Sequence, residues 1–305
     1  MELMYSLAPS YKDGEERQMG QKRIGFIGFG AMGLPMAKNL IKNGYEVHVT
    51  VHRSKEPIEV LKNEGAIEHS TLKDVMAHSD FLISILPTDK EMEAVLLSED
   101  VLHVLSTDAV LIEMTSGSPG MMKKIHQAYQ EKGIRVLDGP VSGGTIGAEQ
   151  GTLTVMVGGE AEVLEEALPV LEAMAKNIYL VGPVGAGKAI KAINQMLAGI
   201  HMIASAEAVA LAEKQEIDKE MLRKVIGSSS GGSWMFANKL DSLSERNFAP
   251  GFKLSLMKKD IQIAIDEAGN LGLPIAASAL QLYKLYEKEL GDLDFSAVGK
   301  PILED

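Results

Sequence analysis

Residues Arg23–Gly33 read RIGFIGFGAMG, a short apolar segment that runs into three glycines spaced Gly-x-Gly-x-x-Gly. The next eleven residues, LPMAKNLIKNG at 34–44, have the pattern of an amphipathic helix closed by a glycine. A glycine-rich turn alone is common, but one between a strand and a helix is typical of dinucleotide-binding domains. The sequence therefore predicts a cofactor site at this turn. Its expected contacts are Gly28, Phe29, Gly30, Ala31 and Met32.

Each glycine of this turn has its own mechanical role in such a domain. Gly28 allows the tight turn, Gly30 lets a diphosphate approach the backbone, and Gly33 lets the helix pack on the strand. The free N–H groups and the dipole at the start of the helix favour an anion there. A purely structural turn is the alternative interpretation.

The next strand-like segment, EVHVTVHRS at 46–54, ends about where a residue that selects the cofactor's ribose is expected. An NAD-dependent enzyme usually has Asp or Glu there to bind the ribose 2′-hydroxyl. Here Arg53 and Ser54 offer a cation and a hydroxyl, which suit a 2′-phosphate. The sequence favours NADP(H) over NAD(H), although stacking of Arg53 on adenine would allow either cofactor.

Short apolar segments and helical segments alternate through the first half of the chain. Further strands are predicted at 81–87, 110–116, 134–140, 152–159 and 178–183, all of them mostly buried. This alternation predicts a doubly wound α/β sheet of Rossmann type in residues 22–183. Strand signals then stop, and helices are predicted at 185–215, 218–226, 233–245, 252–268 and 275–290. Residues 184–305 are therefore predicted to form an all-helical domain for substrate binding and oligomerisation.

Ligands of doubly wound sheets bind beyond the carboxyl ends of the strands. This rule places two strand ends at the edge of the cofactor site. The residues predicted to contact the cofactor there are Leu86, Pro87, Thr88 and Ser116.

Another strand end reads DGPVSGGTIGAEQG, at 138–151, and is rich in glycine. Ser142, Gly143 and Gly144 present consecutive backbone N–H groups beside a hydroxyl. Such a turn can bind a carboxylate or a phosphate without a cation. A flexible crossover is the alternative interpretation.

The first helix predicted in the second half begins GAGKAIKAINQ, at 185–195, and continues into an almost wholly apolar run. One arc of that helix carries the polar residues Lys188, Lys191, Asn194, Gln195, His201 and Ser205. An otherwise apolar helix can retain such an arc if it lines a cleft. For Lys188 alone, a solvent-exposed position is the favoured interpretation.

The 305-residue chain has a formal net charge of −12 and no cysteine. The acidic balance, without a basic run, argues against nucleic acid and acidic membrane surfaces as partners. The lack of cysteine excludes disulfides, thiolate metal sites and a cysteine nucleophile, and it suits a reducing compartment. We therefore expect a cytoplasmic protein.

Residues 1–21 lack the apolar segment of a signal peptide and are interpreted as an N-terminal extension. The longest apolar run, Met196–Ala212, is shorter than the roughly 20 residues that span a bilayer.

His48 and His52 share a strand face but lie about 13 Å apart, too far to bind one metal. With the other histidines scattered along the sequence, no metal site is predicted.

Four segments of the chain, in this order, resemble the signature regions of the β-hydroxyacid dehydrogenases, the family of 3-hydroxyisobutyrate dehydrogenase and tartronate-semialdehyde reductase. They are GFIGFGAMGLPMAKNL, GPVSGGTIGAEQGTLTVMVGG, GAGKAIKAINQ and FKLSLMKKDIQIA. The resemblance extends from about Lys22 to Leu290. It implies a Rossmann-type domain followed by a helical domain, and reversible NAD(P)-dependent oxidation of a short 3-hydroxy acid.

The resemblance also implies roles for individual residues. Lys191 matches the family's catalytic lysine, and Ser142 with Gly143 matches its substrate-carboxylate turn. Ser116 matches a residue on the nicotinamide side of the cofactor, and Lys259 matches a lysine near cofactor and substrate. The turn His52-Arg53-Ser54 is similar to that of NADP-using members.

One position departs from the commonest family pattern. Many members have two asparagines after the catalytic lysine, whereas this chain has Asn194-Gln195. That pair resembles the tartronate-semialdehyde reductase type, as does GGSW at Gly231–Trp234. The substrate implied is a small carboxylate-bearing aldehyde or hydroxy acid, with a homo-oligomer, dimer or tetramer, as the assembly.

A lysine suits this chemistry because reduction of an aldehyde creates an alkoxide that needs a proton, and the reverse reaction needs a base. One lysine fills both roles if its pKa falls from about 10.4 toward neutrality through burial and a second cation. Lys188 and Lys259 are the candidates for that cation, and Asn194 or Gln195 could orient the ammonium or the hydroxyl. Two alternatives are a non-catalytic NADP-binding module and an imine reductase on the same scaffold.

Overall fold

The structure, a computed structural model, describes residues 22–52 and 54–304, apart from the side chain of Asp100. The extension predicted at 1–21 and the cofactor contact predicted at Arg53 lie outside the described residues.

Nine strands of the described residues form one sheet in the first half of the chain. They are β1 (Arg23–Ile27), β2 (Glu46–Thr50), β3 (Ile67–His69), β4 (Phe81–Ser84), β5 (Val110–Glu113), β6 (Arg135–Asp138), β7 (Val141–Ser142), β8 (Leu153–Gly158) and β9 (Ala175–Gly182). The helices of this half are α1 (Gly33–Lys42), α2 (Glu56–Asn63), α3 (Leu72–Ala77), α4 (Asp89–Leu96), α5 (Glu99–Leu102), α6 (Pro119–Gln130), α7 (Gly144–Gln150) and α8 (Ala161–Glu172).

The sheet runs in the order β3-β2-β1-β4-β5-β6-β8, and these strands are parallel as far as β6. Strand β8 is antiparallel to β6 and β7 and parallel to β9. Because β1 pairs with β2 on one side and β4 on the other, the strand order reverses there, which opens a crevice at the carboxyl ends. The predicted doubly wound α/β class is confirmed.

Alternate residues of the central strands pack on opposite faces of the sheet, as the two-residue period requires. Phe81 and Ile83 belong to the apolar cluster on one face, and Leu82 between them belongs to the cluster on the other. All four residues of β4 and of β5 are buried. Helices therefore cover both faces of the sheet at β4 and β5, which is why both strands are apolar in all but their last residue.

The predicted strands differ from the observed ones in three ways. The segments predicted to run to Ser54, Pro87 and Ser116 end as strands at Thr50, Ser84 and Glu113. Strand β9, expected to be mostly buried, has an exposed central part in which Tyr179 is 55% exposed, because β8 is its only partner among the described strands. The short strands β3 and β7 were not predicted, since two or three residues carry no recognisable apolar pattern.

The second half is helical, and each of the five predicted helices is observed with ends within two residues. They are α9 (Ala186–Lys214), α10 (Lys219–Gly227), α11 (Trp234–Ser244), α12 (Leu254–Glu267) and α13 (Pro274–Leu290). The chain then forms a 3-10 helix, Phe295–Gly299, and α14 (Lys300–Glu304), neither of which was predicted. Helix α9 is the centre of this half, with Met202 and Ala206 packed against the other helices.

By length and composition alone, α9 could cross a membrane, being 29 residues long with a mean hydropathy of 1.3 in its most apolar window. Half of that window is buried inside the protein. Lys188 and Lys191 are also buried at its first turns. These are the features of a core helix.

Asp138, the last residue of β6, anchors the start of α9. Its Oδ1 accepts a hydrogen bond from the N–H of Gly185 at 2.6 Å, and its Oδ2 accepts one from the N–H of Lys188 at 2.9 Å. A carboxylate at a helix N-terminus satisfies N–H groups that have no acceptor within the helix. The sheet thereby sets the position of the helix that carries Lys191.

The side chain of Lys188 makes a second connection between α9 and the sheet. It is fully buried, so the favoured prediction of a solvent-exposed lysine is wrong. Its Nζ forms an ion pair with the buried carboxylate of Glu113 and donates hydrogen bonds to the carbonyl oxygens of Glu113 and Thr115. All three of its hydrogens are used, which is how a buried ammonium is tolerated.

We expect Lys188→Ala to lower the free energy of unfolding by about 3–5 kcal/mol, because it leaves the Glu113 carboxylate buried without a partner. Urea denaturation followed by circular dichroism measures the loss. Lys124→Ala is the matched control, since Lys124 pairs with Glu93 at the surface and exposed pairs contribute little. Equal losses for the two variants would show that the buried pair has no special role.

Candidate active site

The glycine turn after β1 has the shape that close approach of a diphosphate requires. A Cβ added at Gly28 would lie 2.0 Å from the carbonyl oxygen of Ile85, and Gly28 has φ +99°. A Cβ at Gly33 would lie 1.8 Å from the carbonyl oxygen of Gly28. A Cβ at Gly30 would meet no atom within 4 Å. Protein packing thus requires glycine at two positions, whereas the open space at Gly30 fits a ligand.

Helix α1 begins at this turn without a side-chain cap from any described residue. The N–H of Leu34 bonds back to the carbonyl oxygen of Gly30 at 3.1 Å. Gly30 and Ala31 are exposed, and Phe29 stacks on Phe26 with ring centroids 5.6 Å apart. N–H groups at an uncapped, accessible helix start favour the diphosphate of a dinucleotide.

The other residues predicted at the cofactor edge lie along the same end of the sheet. The N–H of Leu86 donates to Oγ1 of Thr115 at 2.8 Å, which ties the end of β4 to the end of β5. Thr88 caps α4 by accepting the N–H of Lys90 at 3.2 Å, and Pro87 beside it is exposed.

Ser54, the described part of the predicted ribose-selecting turn, is exposed. Its Oγ lies 3.4 Å from the N–H of Glu56, at the start of α2.

Lys191 points into a small pocket between α9, α12 and the end of β5. The pocket is lined by Ser116, Gly117, Lys191, Ala192, Gln195, Asp260 and Ile263. Lys191 is 7% exposed, and its Nζ donates a hydrogen bond to Oε1 of Gln195 at 3.0 Å. Asn194 donates to the same oxygen at 3.0 Å. The structure thus brings four predicted residues together around one ammonium, those at positions 116, 191, 194 and 195.

Burial lowers the pKa of Lys191 to about 8, with the charge of Lys259 acting in the same direction and that of Asp260 opposing it. Lys259 donates from Nζ to the carbonyl oxygen of Ser116, at the mouth of the pocket. Of the two lysines considered as the second cation, Lys259 therefore has that role. Lys188 is neutralised by Glu113.

A larger cleft of about 320 Å³ adjoins this pocket and shares Ile263 with it. Thr88 forms part of one wall, and the other wall comes from α12 and α13. Four lysines, Lys90, Lys258, Lys259 and Lys284, line the cleft beside two acidic residues, Asp89 and Asp266. A cleft at the carboxyl ends of the strands in which lysines outnumber acidic residues suits an anionic dinucleotide.

The predicted carboxylate turn follows β6, the strand next to β5 in the sheet. Ser142 ends β7, where it pairs with Thr154, and the exposed Gly143 and Gly144 begin α7. Among the described residues that line the Lys191 pocket, none belongs to this turn. The glycine-rich segment is helical from 144 to 150, so it is not a flexible crossover.

Two members of the predicted polar arc do not line the cleft. His201 is exposed on the outer side of α9, and Ser205 donates its hydroxyl to the carbonyl oxygen of His201 at 2.6 Å. A hydroxyl that bonds back to its own helix needs no polar neighbour. Among the described residues of the arc, those that line the pocket therefore lie in the first turns of the helix.

Three histidines that are scattered in the sequence stack together in the fold, which corrects the expectation that they lie apart. His48, His69 and His78 have ring centroids 4.9–5.7 Å apart, and Nδ1 of His48 is 2.8 Å from Nε2 of His69. Parallel pairing of β2 with β3 brings the first two together. Within residues 22–52 and 54–304, no group of three or more His, Asp or Glu has the geometry to hold a metal ion.

Known proteins match the chain over almost its whole described length. Residues 23–182 match the NAD-binding domain of 6-phosphogluconate dehydrogenase, and residues 185–302 match the NAD-binding family of NADP-dependent 3-hydroxyisobutyrate dehydrogenase. The NAD-dependent L-serine dehydrogenase of Pseudomonas aeruginosa is 38% identical over 92% of this chain and 97% of its own length. The chain belongs to the β-hydroxyacid dehydrogenase family.

Two further family members are informative. The 2-hydroxy-3-oxopropionate reductase of Escherichia coli is 35% identical over 90% of this chain and 95% of its own length. The 3-hydroxyisobutyrate dehydrogenase of Mycobacterium tuberculosis, solved with L-serine, is 32% identical with a TM-score of 0.85, covering 92% of this chain and 99% of that one. As a member of the family, this chain is an NAD(P)-dependent 3-hydroxyacid dehydrogenase.

Asp260 is the pocket residue that sequence reasoning missed for this β-hydroxyacid dehydrogenase. It is 2% exposed, and its Oδ2 accepts the amide N–H of Gln195 at 2.9 Å. A signal was present, because Met257, Ile261 and Ala264 form the buried face of α12 and Asp260 shares it. An acidic residue on an apolar helix face needs a partner.

The glycine geometry predicts different outcomes for two substitutions. Gly30→Val should leave the thermal midpoint near that of the wild type and weaken NADPH binding about tenfold or more, because its side chain takes up the ligand's space. Gly33→Ala should lower the thermal midpoint, since its Cβ overlaps the Gly28 carbonyl. Thermal unfolding and a fluorescence titration with NADPH measure both effects. Unimpaired NADPH binding by Gly30→Val would exclude this turn as the diphosphate site.

Proposed function

We propose that the protein interconverts a short 3-hydroxy acid and its semialdehyde with NADP(H), and that Lys191 is its proton donor and acceptor. Tartronate semialdehyde is favoured over 3-hydroxyisobutyrate as the substrate type. The observation that carries the proposal is a buried ammonium with a pKa of about 8 at the cofactor edge of the sheet.

The chemistry follows from the position of Lys191. The nicotinamide, bound with its diphosphate on the Gly28–Gly33 turn, would supply the hydride for reduction and accept it in oxidation. Lys191 gives a proton to the oxygen of the aldehyde as negative charge develops there, and Lys259 adds a second positive charge nearby. In the reverse direction, neutral Lys191 removes the proton of the hydroxyl. A pKa near 8 leaves both forms accessible close to neutral pH.

The substrate carboxylate is assigned to Ser142, Gly143 and Gly144. The two glycines have φ +134° and +64°, values that L side chains rarely adopt. Backbone N–H groups exposed by such a turn can bind an anion without a cation. Asn194 and Gln195 complete the substrate side, where their carboxamides orient the ammonium without adding charge.

Two features support tartronate semialdehyde. The pair Asn194-Gln195 resembles the tartronate-semialdehyde reductases, and a 2-hydroxy-3-oxopropionate reductase is among the relatives. A lysine at 191 also favours a hydroxy acid over an imine.

The remaining proposals concern the chain as a whole. We propose a homo-oligomer, because α9 exposes Ile190, Ile193 and Leu197 on one stripe that a second copy could cover. A cytoplasmic location is proposed because the chain has no cysteine, which suits a reducing compartment. The division into a cofactor domain at 22–183 and a substrate domain at 184–305 is proposed on the break between β9 and α9.

The test of substrate and cofactor is one spectrophotometric screen of semialdehydes and 3-hydroxy acids with NADPH and NADH. We expect NADPH to have the higher kcat/KM, and Arg53→Asp to erode that preference by removing the phosphate's cation. Tartronate semialdehyde should react best, and simple aldehydes without a carboxylate should react far more poorly. A tenfold preference of the wild type for NADH would refute the cofactor choice, and equal activity on acid and non-acid aldehydes would refute the carboxylate turn.

Lys191→Ala should lower kcat at least about a hundredfold, because it removes the proton donor, while NADPH still binds within severalfold of the wild type. Lys191→Arg should not restore activity, since guanidinium keeps its proton at any working pH. Lys214→Ala, at the exposed end of the same helix, is the control. Single-turnover reduction and a cofactor titration give the two quantities. Normal turnover by Lys191→Ala would remove this lysine from the mechanism.

The pH dependence has opposite signs in the two directions. Reduction needs the protonated lysine, so kcat for reduction should fall as the pH rises through about 8. Oxidation needs the neutral lysine, so kcat for oxidation should rise over the same range.

A further inference from the structure

Asp260, on α12, lines the pocket and is linked to Lys191 by hydrogen bonds through Gln195. Its Oδ2 accepts a hydrogen bond from Nε2 of Gln195 at 2.9 Å, and Oε1 of Gln195 accepts one from Lys191 at 3.0 Å. The three groups form a chain from a buried carboxylate to the ammonium.

The carboxylate determines which way the Gln195 amide faces. An ionised carboxylate can only accept hydrogen bonds, so the NH₂ of Gln195 must face Asp260. The opposite orientation would place Oε1 against the carboxylate and the NH₂ against the ammonium of Lys191. Asn194, which donates to Oε1 at 3.0 Å, reinforces the observed orientation. Among the described residues, Gln195 accepts the one hydrogen bond that Nζ of Lys191 donates, which leaves two hydrogens of the ammonium for the substrate.

Asp260 also opposes the two factors that deprotonate Lys191. Burial and the charge of Lys259 lower the pKa of Lys191, and the charge of Asp260 raises it. Both charged groups come from α12, on which Nζ of Lys259 lies 2.9 Å from Oδ1 of Asp260. That contact is an ion pair without hydrogen-bond geometry, so Oδ1 has no hydrogen-bond donor among the described residues. On the sheet side, the nearby charges of Lys188 and Glu113 neutralise each other.

We propose that Asp260 is a positioning residue for Lys191, which it orients through the amide of Gln195 and keeps protonated near neutral pH through its charge. The proposal rests on the proposed role of Lys191 as proton donor. It assigns to α12 a part in the chemistry that does not involve contact with the substrate.

The test measures the protonation of Lys191 directly, in the full-length protein with lysines labelled with carbon-13 at Cε. Lys191→Ala identifies the resonance, and its pH titration gives a midpoint. We expect a wild-type midpoint of about 8 and a midpoint lower by about one pH unit or more in Asp260→Asn, which removes the favourable charge. Asp266→Asn is the matched control, because Asp266 also accepts an amide hydrogen bond, from Gln262 at 2.7 Å, on the same helix. It should leave the midpoint unchanged.

Kinetics provide the second readout. In Asp260→Asn, kcat for reduction should fall and its decline with rising pH should begin at lower pH, while the affinity for NADPH stays within severalfold of the wild type. The loss in kcat should shrink when Asp260→Asn is made in a Gln195→Met background, since the amide that transmits the orientation is then absent.

A Lys191 midpoint in Asp260→Asn equal to that of the wild type overturns the proposal, whatever the effect on kcat. If Asp260→Asn does not fold, Asp260→Glu takes its place, because it retains the charge. A midpoint lower by one unit or more in that variant overturns the proposal, and a midpoint close to the wild type with reduced kcat supports it. A midpoint that moves as expected in a protein with no activity on any hydroxy acid contradicts the proposed function alone.

Discussion

A lysine–glutamate ion pair without exposed surface joins the two halves of this molecule. Lys188 comes from the first turn of α9, and Glu113 is the last residue of β5. Their charges cancel each other, and the carbonyl oxygens of Glu113 and Thr115 accept the remaining hydrogens of the ammonium. The segment after Glu113 continues through Thr115 to Ser116, at the cofactor edge of the sheet, and Lys191 lies one turn beyond Lys188 in α9. The ion pair therefore sets the distance between that edge and Lys191. The geometry of the pocket depends on this connection.

Lys188 and Lys191, three residues apart, thus have unrelated environments. The sequence could predict the environment of Lys191 but not that of Lys188. The strand, glycine turn and helix at Arg23–Lys42 predicted the fold because each element follows a local rule. Helical spacing predicted that Lys191 lies beside Gln195, because the two are four residues apart. The burial of Lys188 could not be predicted, because its partner is 75 residues away in sequence. The two meet because Glu113 pairs with Asp138 across β5 and β6, and Asp138 caps the helix that carries Lys188.

The same physical reason accounts for the other errors and omissions. The stack of His48, His69 and His78 and the capping of α9 by Asp138 each join elements that are distant in sequence. Strand β9 is exposed where other elements do not pack over it, and the residues of the strand alone do not predict this. Local patterns therefore predicted elements to within a few residues, whereas the charges inside the pocket could be assigned only from tertiary contacts.

The net charge of the pocket suits a substrate with one carboxylate. Lys191 and Lys259 are positive and Asp260 is negative, so the site with Lys191 protonated carries one net positive charge. In the proposed reduction, a substrate with one carboxylate would neutralise this charge, and the proton that Lys191 gives up would become the hydroxyl hydrogen of the product. Without Asp260 the site would hold two close cations, which in a buried environment favours loss of a proton before the substrate binds. One acidic residue on α12 thus allows a second lysine to serve the cofactor edge while Lys191 keeps its proton.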